Sequence, residues 1–284
     1  MATDFQSPRI SYAARRRIAR AVETTVLVVT LAVIVFPIAW IVTTAFKTPR
    51  DVYDLAIVFP PTIQNFIIAF NPPWNLGGKL LNSIVISTVT VAIGVPIATL
   101  AAYSFSRFEF LMKRSLFLLV LATQFIPAVV IILPFFLMFR DVALMDTRTG
   151  LVIVNLAIVT PFAVWMIKGY LDAIPNESEE AALVDGASRL RVIFDIVVPM
   201  ALPGMITAAV FCFILTWNEF IFALILTREN AVTLPVGLIS FRTERGDWWE
   251  LIAASGIIIT VPMFLLALVI QRHFVKGMTM GAVR

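Results

Sequence analysis

Six stretches of this sequence stay apolar for about twenty residues each, and no other feature limits the fold as strongly. They run over 22–46, 83–104, 116–139, 151–170, 204–226 and 251–270. A helix rising about 1.5 Å per residue needs roughly that length to cross a hydrocarbon layer some 30 Å thick. In hydrocarbon each backbone N–H and C=O must be bonded within the protein, which favours helices for such segments. The expected fold class is therefore all-α integral membrane protein with six transmembrane helices. The chain is 60% apolar and only 14% charged, well away from the balance of a soluble domain. A single transmembrane domain over 1–284 follows, with a tail at 1–21, a core at 22–270 and a second tail at 271–284. The lone Cys212 excludes a disulfide within the chain and a cysteine metal cluster. The segment 1–20 is too polar for a cleavable signal, and no small-residue cleavage site follows the first apolar run, so that run is expected to be retained.

Orientation follows from the basic residues between the spans. With the amino terminus inside, fourteen of the 22 Lys and Arg fall on inner segments and eight on outer ones. That bias places both termini in the cytoplasm. Arg9, Arg15, Arg16, Arg17 and Arg20 form a basic flank of the kind that anchors a chain at the lipid surface. The net charge of +4, distributed this way, carries no nucleic-acid signal. The longest external connection, 47–82, is expected to be irregular with helix near 63–70. The outer stretch 227–249 ends in Trp248-Trp249, a pair suited to a membrane interface. Prolines at 37, 96, 127, 134, 161 and 262 interrupt the spans, each freeing a backbone carbonyl that packing or a neighbour must satisfy.

The inner segment 171–203 is the one long charged stretch between two very apolar ones. Asn176 with Glu179 three residues on resembles a capping box and starts a short helix reaching about Val184. Gly186 breaks it. Ser188 then caps a second helix whose Leu190, Ile193, Phe194 and Val197 make one apolar face, and Pro199 and Pro203 end it before the next span. Two short helices with acidic and apolar surface point to a protein partner. A compact self-packed loop fits the same composition.

Here the residues carry a resemblance. Glu180-Ala181-Ala182, three residues, Gly186, nine residues, and Ile196-Val197-Val198-Pro199 resemble the EAA loop of permease subunits of binding-protein-dependent ABC importers. Asp185, Ala187 and Pro203 agree with it, while Val198 stands where the family usually has leucine. Four further segments are similar to the carbohydrate-importing branch, and most to its six-span maltose-transporter-type second permease. They are 101–107 (AAYSFSR), 217–220 (WNEF), 233–237 (TLPVG) and 276–284 (KGMTMGAVR).

The resemblance implies a subunit of the bacterial inner membrane that pairs with a second permease and two copies of a cytoplasmic ATPase. An external solute-binding protein would deliver a sugar or sugar derivative. It implies ATPase-coupling roles for Glu179, Glu180, Ala181, Ala182, Asp185, Gly186, Leu190, Phe194 and Pro199. ATP and Mg would be bound by the partner ATPases, because this chain has no G-x-x-x-x-G-K-[ST] loop. No metal site, catalytic triad or other catalytic group is in prospect, and His273, beside Arg272 at the membrane boundary, is expected to be non-catalytic.

Glu219 is the most telling polar residue in the spans, since a charge there costs about 2.5–3.5 kcal/mol on insertion scales. With Trp217 and Asn218 it either lines the path or an outer gate, or joins two helices by a hydrogen bond. Gln124 and Asn155 pose the same alternative. A polyol or a glycerol phosphate-type compound competes with a sugar as cargo. An ion-coupled secondary transporter would need more carboxylates deep in the spans than Glu219 alone.

Overall fold

The computed structural model describes residues 12–244 and 246–281. Side chains are described for residue 16, for 19–244 and for 246–268. Arg9 and residues 282–284 thus lie outside the described residues, and the side chains of Arg15, Arg17 and His273 outside the described side chains, while Arg16 and Arg20 are exposed.

Thirteen α-helices are described: α1 Tyr12–Ala45, α2 Pro49–Tyr53, α3 Gln64–Phe70, α4 Leu76–Arg107, α5 Lys113–Ala122, α6 Ala128–Asp141 and α7 Arg148–Leu171. They continue as α8 Glu177–Val184, α9 Arg189–Val192, α10 Val198–Trp217, α11 Ile221–Leu226, α12 Leu234–Ile239 and α13 Trp249–Gly281. Five helical stretches are long and apolar enough to cross a membrane, in α1, α4, α7, α9–α10 and α13. A sixth crossing is available if the bent pair formed by 113–125 and α6 counts as one.

Two expected spans are corrected. The third, 116–139, is not one helix: α5 runs through a 3-10 turn at Thr123–Phe125 and meets α6 at 93°. Ile126 is extended (φ −77°, ψ 118°) because the ring of Pro127 disfavours helical geometry in the residue before it. The fifth, 204–226, starts earlier and stops sooner. Pro199 and Pro203 do not end the preceding helix; α9 passes through a π turn at Ile193–Val197 directly into α10. Pro199 sits in the first turn after the π segment, where its missing N–H deprives no regular α turn. The far end breaks at Trp217, and α11 restarts at Ile221.

The core lies between α4, α7 and α10. Small residues at the contacts let these helices approach closely, as membrane helices without a hydrophobic drive between them require. Ala98, Ala102, Ala163, Ala201 and Ala208 are each fully buried there. At Gly204 a Cβ would lie 2.5 Å from Cγ of Tyr170 on α7. Gly204→Ala is therefore expected to overpack the α7–α10 seam and destabilise the protein by about 1–3 kcal/mol, read as a lower melting temperature in detergent.

By contrast α1 leaves its apolar residues from Val22 to Val42 exposed, and near its end Ala45 meets Ala253 and Ala254 of α13. The helix expected near 63–70 is α3, pinned by Asn65, whose Nδ2 donates to the carbonyls of Ala45 and Lys47 at 2.8 Å. The stretch 227–249 holds α12 and an unexpected antiparallel hairpin, β1 Arg242–Thr243 with β2 Gly246–Asp247. Trp248 sits 5.5 Å from the Trp74 ring, and both Trp248 and Trp249 remain partly exposed.

Candidate functional site

One end of the bundle carries α8, α9 and the π turn. The first turn of α8 is acidic (Glu177, Glu179, Glu180), which suits the positive end of a helix dipole. Asn176 does not cap it: the residue is itself helical (φ −85°, ψ −11°) and its side chain makes no capping bond. The reciprocal half of a capping box is also missing, because Glu179 faces the bundle. Its Oε1 accepts from Arg107 Nε at 2.8 Å and its Oε2 from the Tyr103 hydroxyl at 3.2 Å. Arg107, the last residue of α4, also donates from Nη2 to the Ile174 carbonyl at 3.1 Å. Both charged side chains are 8% exposed.

The other end of α8 is as expected. Gly186 takes φ +85°, and Ala187 N–H reaches back to the Ala182 carbonyl at 2.9 Å, closing the helix in the left-handed manner that favours glycine. Ser188 then caps α9 by accepting from Arg191 N–H. The stripe expected over 190–197 is split. Leu190 and Phe194 are exposed, whereas Val197 is 2% exposed and Val192 is fully buried. The π turn holds an extra residue per turn, so residues beyond it rotate out of the α phase and Val197 turns inward.

Exposed at this end are Glu180, Ala181, Asp185, Gly186, Leu190, Phe194 and Pro199, with Ala182 half-buried. Val184, 87% exposed, belongs with them and was not among the expected site residues. Its position four residues after Glu180 on the same helix face was the available signal.

The polar residues expected along a path are placed separately. Trp217 is 1% exposed, stacks on Phe213 and donates from Nε1 to the Ile259 carbonyl at 3.2 Å. Asn218 is exposed and bonds back to Ile214. Glu219 occupies the break between α10 and α11 and accepts from Phe222 N–H at 2.7 Å and Ala223 N–H at 3.0 Å. Gln124 donates to the Ile158 carbonyl at 3.0 Å. Asn155 is buried, donates to the Leu151 carbonyl and leaves its Oδ1 without a partner. No hydrogen bond joins any two of these five among the described residues. Nor do the described residues contain a group of three His, Cys, Asp or Glu able to hold a metal.

At the opposite end of the bundle lies a cluster that sequence reasoning missed. The Asp146 carboxylate accepts from the backbone N–H groups of Arg228, Glu229, Asn230 and Ala231 at 3.0–3.2 Å. Asn82 of α4 donates to the carbonyls of Asn230 and Val232 and accepts from Arg148 Nε at 2.7 Å. Partial burial would raise the Asp146 pKa, but these N–H donors outweigh it and hold the carboxyl at about 2, down from 3.8. Its stabilisation is fully present above pH 3.8 and is lost as the pH falls through about 2, the sign for a depressed carboxylate. Asp146→Asn is expected to lower stability by about 1–3 kcal/mol. The melting gap to the native chain should hold above pH 3.8 and close towards pH 2.

Comparison with known proteins places this architecture. Residues 94–280 match the family model for the binding-protein-dependent transport system inner membrane component, and the chain belongs to that family. It is 35% identical over 254 residues to the trehalose transport system permease protein SugB of Mycobacterium tuberculosis, covering 87% of this chain and 92% of that one. It is 30% identical over 253 residues to the trehalose/maltose transport system permease protein MalG of Thermococcus litoralis, with 88% and 91% covered. A crystal structure of a bacterial ABC transporter that imports the acidic polysaccharide alginate has the same fold. Its TM-score is 0.78 at 22% identity, covering 94% of this chain and 100% of that one. The chain is thus a membrane permease component of an ABC importer, a transport subunit and not a catalyst.

Proposed function

We propose that the chain, as a single transmembrane domain with both termini in the cytoplasm, imports a sugar or sugar derivative in partnership with a second permease. Two copies of an ATPase would bind ATP and Mg on the cytoplasmic side, and an external binding protein would supply the solute. Relatives named for trehalose and maltose transport support the cargo class. One observation carries the coupling role: α8 and α9 present acidic and apolar side chains to solvent around a left-handed Gly186, with Leu190 66% and Phe194 58% exposed. Exposed apolar side chains beside carboxylates suit a partner with an apolar pocket and basic rim.

In this reading Glu180, Ala181, Ala182, Asp185, Gly186, Leu190, Phe194 and Pro199 form the ATPase-docking surface, and Val184 joins them. Glu179 serves the same element from its inner side. Closure of the ATPase pair would press on α8, and the continuous α9–π–α10 helix would carry the displacement into the bundle. Trp217, Asn218, Glu219, Gln124 and Asn155 would shape the path chiefly by holding its broken helices in place. Glu219 does so by satisfying the first N–H groups of α11.

The test is to purify the importer through this chain, reconstitute it with its binding protein, and measure ATP-dependent uptake of trehalose, maltose, a polyol and glycerol phosphate. Uptake of a saccharide supports the reading. Uptake confined to the polyol or glycerol phosphate would move the cargo class, and uptake driven by an ion gradient without ATP would overturn it.

A further inference from the structure

We propose that Arg107 and Glu179 are positioning residues that lock α4 to α8, so that α4 and α7 move with the docking helix when it is pushed. The inference rests on the docking role assigned above.

A displacement of α8 has a covalent route into α10, because α9, the π turn and α10 form one helical stretch from Arg189 to Trp217. It has no such route into α4, which lies some seventy residues earlier. The tertiary packing of α8 falls chiefly on α9 and the π turn. Among the described residues the only ion pair between α8 and α4 is Arg107–Glu179, at 2.8 Å. Three further bonds brace it. Tyr103, one turn back on α4, donates to the second Glu179 oxygen. Arg107 reaches the Ile174 carbonyl at the start of the loop and the Ser106 hydroxyl at 3.2 Å. Glu179 is thus held by two α4 side chains, and Arg107 by partners on α4, on α8 and in the loop before α8.

A buried ion pair is poor at adding net stability, since desolvation offsets the attraction. What it supplies is a fixed geometry, because the guanidinium fork and the carboxylate meet in few orientations. The bonds of Ser106 and Lys168 to Asp172, at 2.7 and 2.6 Å, tie α4 to the end of α7 and leave α8 out. Asp172 is itself held ionised: partial burial would raise its pKa, and the Lys168 and Ser106 bonds more than offset it. Thus α4 and α7 are joined to each other, share a core with α10, and follow α8 through Glu179. Without that clamp, a push on α8 would move α10 against the α4–α7 pair.

The test uses spin-label pairs in the complete importer, purified through this chain and trapped with ATP and vanadate. One pair joins Ser178→Cys on α8 to Leu100→Cys on α4. The other joins Ser178→Cys to Val33→Cys on α1, which packs chiefly on α13 and stands outside the α4, α7 and α10 core. Leu100 and Val33 are exposed, whereas Cys212 of this chain is buried, and the partner subunits are prepared without cysteines. In the native chain the 178–33 distance should respond to trapping, while 178–100 holds to within about 2 Å, the scale of ordinary helix shifts. In Arg107→Ala and Glu179→Gln the 178–100 distance should respond too, and the charge swap Arg107→Glu with Glu179→Arg should reduce that response. If a single variant does not co-purify with the ATPase, Tyr103→Phe, which removes one hydrogen bond and no charge, is read the same way.

A 178–100 distance that shifts in the native importer, or stays fixed in both single variants, overturns the clamp and leaves the docking role standing. Failure of the native 178–33 pair to respond overturns the docking role and the clamp with it.

Discussion

Gly186→Trp is expected to leave the membrane bundle folded and to reduce ATP-driven transport by roughly tenfold or more, equivalent to at least about 1.4 kcal/mol of lost coupling. Two features of this position separate folding from function. A Cβ built there meets nothing within 4 Å, so the chain itself has room for a side chain. The backbone, at φ +85°, would cost a non-glycine residue about 1–2 kcal/mol, a local strain at the end of an eight-residue surface helix. Gly186→Ala carries that strain without the bulk. It should therefore lower the melting temperature about as much as the tryptophan variant while keeping most transport. The gap between the two variants in uptake, at matched stability, measures how closely a partner approaches Gly186. Equal uptake in both would mean that the position acts through its backbone alone.

Glu219→Ala is expected to be the most destabilising single change in the bundle. The half-buried Glu219 side chain supplies both oxygens to N–H groups at the restart of α11. Leaving those donors unpaired costs about 1–3 kcal/mol each, for a total of about 2–6 kcal/mol. Glu219→Gln keeps an acceptor oxygen and should recover about half. A denaturation series in detergent reads the order native, Gln, Ala. The same order in transport would follow from loss of the α10–α11 break, without Glu219 touching solute.

How much of this was legible in the sequence depends on how local each interaction is. The apolar stretches marked the crossings because burial of twenty consecutive residues leaves a signal that averaging preserves. The breaks did not show for the same reason. Pro127 reads as a kink until its effect on Ile126 opens the helix to 93°, and WNEF reads as mid-span because its flanks are apolar. Glu219 reads in the sequence as a path or helix–helix group because its insertion cost is visible there, whereas the partners that offset it are backbone groups three and four residues on. Gly186 and Ser188 were legible because each acts on adjacent residues. Arg107–Glu179, separated by 72 positions, and Asp146 with the loop more than 80 residues on were not, since nothing in a single sequence pairs them. The π turn defeated the stripe over 190–197 by changing the helical phase within it.

If ATP-driven force enters this chain at the surface around α8, the ATPase must lie against Val184. The most direct test places a photo-crosslinking amino acid at Val184 in the membrane-embedded importer and identifies what is captured, with and without ATP. The ATPase subunit should be captured from Val184, with capture lost or sharply reduced in Gly186→Trp, and nothing should be captured from the exposed residue Val142 at the opposite end. Capture of an external binding protein from Val184, or of the ATPase from Val142, would contradict this placement.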